Sequence, residues 1–151
     1  MITLGNFRLL DLGDLYWNQE FDLACPNNLL GTVDVAMSTH HGKKTSGSPA
    51  LVHALAFKAV IMNNGPVTGG TESQWQTLHA APGYPDIWQL HLAEKNDQEH
   101  NAPTAFIANL GGKDKGYWIR LTAQSDGGFE ILNSRNGMKK DYREAAVETR
   151  E

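Results

Sequence analysis

Apolar positions in this chain follow two periods, and the order in which they alternate predicts its elements. Residues 7–12 are apolar on both faces, as in a buried strand, and the run stops at Gly13-Asp14. Over 33–39, Val33, Val35 and Met37 fall on one face of a second strand. Ser48 is an N-cap residue and Pro49 suits the first helical position, so a helix starts there, with Leu51, Val52 and Leu55 as its apolar side. Ala59 to Met62 form a third strand, ended by the turn chemistry of Asn63-Asn64-Gly65-Pro66. Thr71-Glu72-Ser73-Gln74 fits a capping box opening a second helix, with Trp75 and Leu78 facing inward. A fourth strand spans 87–92, and a short helix is predicted over 103–110. Segments 117–123 and 129–133 flank Ser125-Asp126-Gly127-Gly128, a hairpin signal.

Strands and helices alternating in this way predict an α/β fold in a single domain over residues 1–142, followed by a charged, frayed tail over 143–151. In such sheets the functional loops gather at the carboxyl ends of the strands. Asp14, the His40-His41 pair and Asn63-Asn64 all fall at such ends.

Composition narrows the function classes. The 151 residues, 40% hydrophobic and 20% charged, are enough for a real core in an ordinary globular protein. A net charge of -4 without a basic stripe argues against binding a nucleic-acid backbone. No apolar run reaches the length of a membrane span, and the N-terminus lacks the pattern of a signal peptide, which makes the cytoplasm the default location. The single cysteine, Cys25, excludes an intrachain disulfide and a cysteine-rich zinc site, and is read as a structural thiol.

The sharpest chemical signal is Ser38-Thr39-His40-His41-Gly42 at the end of the second strand. Imidazole is a common metal ligand and titrates near neutrality. A strand continuing through the pair would send the rings to opposite faces, so one would face a site and the other support it. Asp14 offers a carboxylate that can hold or bridge cations, or simply cap a turn. Asp11, on the same strand in apolar surroundings, would need a partner. His91 alternates with Gln89 on the fourth strand, facing either a cleft or a hydrogen-bonded half-buried site. His100 sits in a polar loop, His53 on a helix surface and His79 at a helix C-terminus. Trp17, Trp75, Trp88 and Trp118 read as core or interface anchors. The glycine-rich run 65–70 lacks the Lys-Ser/Thr of a phosphate loop.

Taken together, Leu9-Leu10-Asp11-Leu12-Gly13-Asp14-Leu15, Val33 through Gly42 and Thr45-Ser46-Gly47-Ser48-Pro49 resemble the metallo-β-lactamase superfamily, in its ComEC-like branch. The resemblance covers residues 7–142 and implies that Asp14 matches the metal-bridging aspartate. It implies that His41, which directly precedes Gly42, matches the final histidine ligand, with His40 as the rival. Lys43 stands where the family commonly has serine. The His-x-His-x-Asp-His motif that carries most of the family's metal ligands is absent. The resemblance is therefore to the C-terminal half of an αββα sandwich: one mixed sheet with helices packed on one face.

The resemblance implies a divalent metal, zinc first and manganese or iron next, and hydrolysis of a small-molecule ester, lactone or phosphoester by metal-activated water. Asp14 and His41 alone are too few ligands for such a site. A half-sandwich would leave an apolar sheet face exposed, and a homodimer formed through it could complete the site, with His40, His91, His100 or Asp11 as additional ligands. The alternative is a non-catalytic fragment of the fold serving as an interaction or structural module.

Overall fold

The computed structural model describes residues 1–111 and 115–143. Strands β1 (Ile2–Leu4) and β2 (Phe7–Leu10) form a hairpin, followed by helix α1 (Trp17–Ala24) and β3 (Val35–Met37). Helix α2 (Pro49–Leu55), β4 (Ala59–Met62), α3 (Glu72–His79), β5 (Asp86–His91) and β6 (Ile107–Asn109) continue the alternation. The described chain closes with β7 (Ile119–Ala123), β8 (Phe129–Asn133) and β9 (Lys139–Tyr142). The fold is α/β, as the alternation predicts.

The first sheet has six strands in the order β1-β2-β3-β4-β5-β6, with β1 antiparallel and the rest parallel. Successive parallel strands that stay neighbours are joined by crossovers of one hand, which puts the connecting helices on a single face. There Leu10, Ala36, Val60, Met62 and Ile87 pack against Leu51, Val52, Leu55 and Leu78 of α2 and α3. The alternate residues of the same strands, Val35, Ala59, Ile61 and Trp88, point the other way.

That second face is not left bare. The antiparallel sheet β7-β8-β9 covers it with Phe129, Ile131 and Tyr142. Trp88, fully buried, donates its indole N–H to the Tyr142 hydroxyl at 2.9 Å, and that hydroxyl donates to Asp86 at 2.6 Å. The inter-sheet core therefore carries a satisfied polar chain rather than hydrocarbon alone. The exposed apolar sheet face expected to drive dimerisation is filled by the chain's own hairpin and last strand.

Other expectations shift locally. Only a 3-10 turn at Thr104–Phe106 stands in the segment expected to be helical, and it leads into β6, the edge strand whose Asn109 pairs with His91 of β5. Helix α1 has no counterpart in the sequence pattern: it buries Glu20 and Ala24, while Trp17 and Phe21 are exposed. Trp17 and Trp118 are not core anchors: each is 49% exposed, whereas Trp88 is buried. Residues 144–151 of the expected tail lie outside the described residues. No helix among the described residues is long and apolar enough to cross a membrane.

Candidate metal centre

Asp14, His40, His41 and Asn63 come together at the carboxyl ends of β2, β3 and β4 because these strands are adjacent and parallel. The register that aligns Met37 with Ile61 brings the turn after β3 beside the turn after β4.

Strand β3 does not run through the histidines. It ends at Met37, and Thr39–Gly42 form a tight turn in which His40 (φ 50, ψ 43) and His41 (φ 59, ψ 22) are both left-handed. This conformation is disfavoured for residues with a Cβ. External hydrogen bonds hold it: the His40 N–H donates to the Gly13 carbonyl at 2.9 Å, and the Gly70 N–H donates to the His41 carbonyl at 2.8 Å. The first bond also ties the histidine turn directly to the loop carrying Asp14.

The two rings have different partners. The His41 side chain is 44% exposed, and its Nδ1 lies 3.2 Å from the Asn63 carbonyl. A carbonyl only accepts, so Nδ1 carries a proton, and in the neutral ring the electron pair is on Nε2. That Nε2 faces Asp14 Oδ1 at 3.6 Å. His40 is buried, and both of its nitrogens are engaged. The Lys43 ammonium, which only donates, lies 2.9 Å from His40 Nε2. The Ser46 hydroxyl gives its proton to the Leu15 carbonyl at 2.7 Å, so its oxygen accepts from His40 Nδ1 at 3.3 Å. His40 Nε2 is 3.8 Å from Asp14 Oδ2, but Lys43 already occupies its electron pair.

Beneath the turn lies a fully buried carboxylate. Glu20 of α1 accepts the N–H groups of Gly47 and Ser48 at 2.6 and 2.7 Å. Ser48 caps α2 as expected, its hydroxyl accepting from the Leu51 N–H at 3.4 Å. The capping box expected at Thr71 is not made. Gln74 instead turns its amide nitrogen to the Ser46 and Gly47 carbonyls at 2.6 and 3.3 Å, and the Thr71 hydroxyl donates to the Gly42 carbonyl at 3.1 Å. Thr71 thus serves the histidine turn, and Gln74 the Ser46–Gly47 segment that follows it.

The remaining candidates lie elsewhere. Asp11 falls beyond the end of β2, exposed, and its Oδ1 accepts the Gly13 N–H at 2.9 Å, which makes it a turn-forming residue. His91 is tied through its main chain, its carbonyl accepting from Asn64 at 2.7 Å and from Gln89 at 2.8 Å. His100 sits with Asp97 and Glu72, 2.7 and 3.5 Å away, and its hydrogen bond holds the Asp97 carboxyl below the usual carboxylate range. His79 stacks on Trp75 at 4.5 Å.

No family model, curated protein or solved structure matches the chain. The site's chemistry therefore rests on its own geometry. Among the described residues, no group of three or more histidine, cysteine or acidic side chains is arranged to hold a metal ion. Two donors sharing one ion at about 2.0–2.2 Å would stand roughly 3.3–3.6 Å apart in tetrahedral geometry, and the Asp14–His41 separation of 3.6 Å fits that spacing. Asp14 and His41 thus fit as part of a ligand set. His40, held by Lys43 and Ser46, fits as their support.

Glu20, Ser46 and Gln74 are the site residues that pattern reading missed, whereas Asn63 stands at the strand end where the sequence places it. Glu20 is the sort of acidic residue that normally marks a solvated helix face, and Gln74 reads as half of a cap. Gly47 beside the Ser48 cap is the one local hint that a side chain must approach the backbone there.

Proposed function

We propose that Asp14 and His41 belong to a divalent-metal site of a metal-dependent hydrolase, as the resemblance to the metallo-β-lactamase superfamily implies. The observation that carries this reading is His41 Nε2 facing the Asp14 carboxylate at 3.6 Å, with Nδ1 bound to the Asn63 carbonyl. An imidazole whose other nitrogen donates to a main-chain carbonyl is oriented as metal-binding histidines are. Zinc suits this imidazole–carboxylate pair, and manganese or iron suits it as well. A bound ion would supply Lewis acidity and a water of lowered pKa for attack on a small-molecule ester, lactone or phosphoester.

Catalytic sites of this kind use at least three protein ligands. The rest of the set must come from outside the described residues, and a second copy of the chain is one source. Tyr16, Trp17 and Phe21 are 49%, 49% and 55% exposed, and the Tyr16 ring lies 5.0 Å from that of His40, so an apolar surface borders the site. This patch, not the sheet face, is the surface suited to association.

One observation favours a second reading. The Lys43 ammonium, 2.9 Å from His40 Nε2, puts a positive charge next to the candidate site, as an interaction module that had lost its metal could tolerate. Metal analysis and light scattering separate the two. The hydrolase reading expects the wild type to take up zinc, manganese or iron, and expects Asp14→Ala and His41→Ala to lose it. A wild type that binds none of the three, and stays monomeric at micromolar concentration, leaves the non-catalytic module.

A further inference from the structure

The loop joining β4 to α3, residues 63–71, grips the histidine turn wherever the direction of the His41 ring is set. The Asn63 carbonyl accepts from His41 Nδ1 at 3.2 Å, and Asn63 is itself held by the Ser38 hydroxyl, which donates to its Oδ1 at 3.1 Å. The Gly70 N–H donates to the His41 carbonyl at 2.8 Å. Thr71 donates to the Gly42 carbonyl through its N–H at 2.9 Å and its hydroxyl at 3.1 Å.

The loop is anchored from behind. Asn64, 1% exposed, donates to the His91 and Gly65 carbonyls at 2.7 and 2.9 Å, which fastens it to β5. The approach of loop to turn leaves no room for a side chain. A Cβ at Gly69 (φ +76) would lie 2.1 Å from the His41 carbonyl oxygen. Contacts that short do not occur, so any other residue at this position must push the two segments apart.

We propose that this loop is the positioning element of the site, with Gly69 as the residue that makes its approach possible. Its grip does two things. It holds His41 in a left-handed conformation that a residue with a Cβ otherwise avoids. It also fixes the imidazole as the Nδ1–H tautomer, because a neutral imidazole carries one N–H and the Asn63 carbonyl claims it. The Nε2 electron pair is thereby committed to the space in front of Asp14. Asn63 and Gly69 act through His41 and touch no substrate. Their relevance to metal uptake rests on the hydrolase reading above; the tautomer does not.

The test has two arms. In the metal-free wild type at alkaline pH, long-range 1H–15N spectra should show His41 as the Nδ1–H tautomer. Finding the Nε2–H tautomer overturns the proposal. In the second arm zinc is titrated into wild type and Gly69→Ala, with melting and far-UV dichroism as folding controls. Folded Gly69→Ala should lose the single tautomer and bind zinc about ten-fold or more weakly, the scale seen when support of a ligand is lost. A folded variant that keeps both the tautomer and the wild-type affinity also overturns the proposal. Should Gly69→Ala fail to fold, Ser38→Ala, which frees the Asn63 side chain, takes its place and should blur the tautomer. A clean tautomer in a wild type that binds no zinc would sink the metal reading and leave the positioning role standing.

Discussion

His41 Nε2 and Asp14 Oδ1 stand 3.6 Å apart, too far to hydrogen-bond and at the spacing of two donors to a shared ion. Neither residue reaches this position alone. The Gly13 carbonyl, next to Asp14, accepts the His40 N–H, so the two loops are fastened to each other through the main chain.

Removing either donor should abolish metal-dependent hydrolysis. Asp14→Asn keeps the shape of the side chain but not its charge, and should weaken zinc binding by more than about 100-fold, beyond the loss typical of supporting residues. Competition with a chelating dye measures this. An affinity within a few-fold of wild type would remove Asp14 from the site.

Lys43→Met should strengthen zinc binding. The change removes a cation from the site and frees His40 Nε2, which lies 3.8 Å from Asp14 Oδ2, to act as a further donor. The same titration reads the effect. A weaker affinity would mean that the Lys43–His40 contact holds the site together instead of closing off a ligand.

Glu20→Ala should destabilise the fold by about 2–4 kcal/mol, because it strands the buried N–H groups of Gly47 and Ser48, now bonded to a carboxylate at 2.6 and 2.7 Å. Urea unfolding gives the number. Glu20→Gln, which retains one acceptor oxygen, should cost less than Glu20→Ala. Equal stability of wild type and Glu20→Ala would show that water can reach these groups.

Tyr142 gives a pH signature. Burial first, then its hydrogen bond to the Asp86 carboxylate, push the phenol well above the ordinary tyrosine range. The native state therefore binds this proton more tightly than the unfolded chain. The stability so gained is intact below about pH 10, where unfolded tyrosine begins to ionise, and is lost progressively above it. Between pH 8 and 11 the phenolate absorbance change of native Tyr142→Phe should equal that of wild type. A smaller change in the variant would show that Tyr142 ionises in the fold.

Pattern reading located most of the strands, although those expected over 7–12 and 33–39 end two residues earlier, at Leu10 and Met37. The runs that became β2, β3, β4, β5 and β8 are continuous or alternating apolar stretches, and a buried strand needs little more than that to declare itself. The Ser48-Pro49 start of α2 was equally legible, since capping is a local interaction. The segment that ends in β6 misled because its residues suit either element, and β6 forms through pairing with β5, not through its own preference. Helix α1 was overlooked because its buried side is narrow and its central inward residue is Glu20, a charge whose partners lie far along the chain.

The sequence alone determined that this chain is α/β and that Asp14 and His41 would stand at strand ends, because strand period, turn chemistry and helix caps are properties of neighbouring residues. Only the tertiary structure decided how the paired histidines divide. His41 turns outward, gripped by a loop that a Cβ at Gly69 would force away, and His40 turns inward onto Ser46 and Lys43. The covering of the second sheet face was settled at the same level, by Phe129, Ile131 and Tyr142. Contacts between segments distant in sequence made these choices, and no pattern of neighbouring residues encodes where such segments meet.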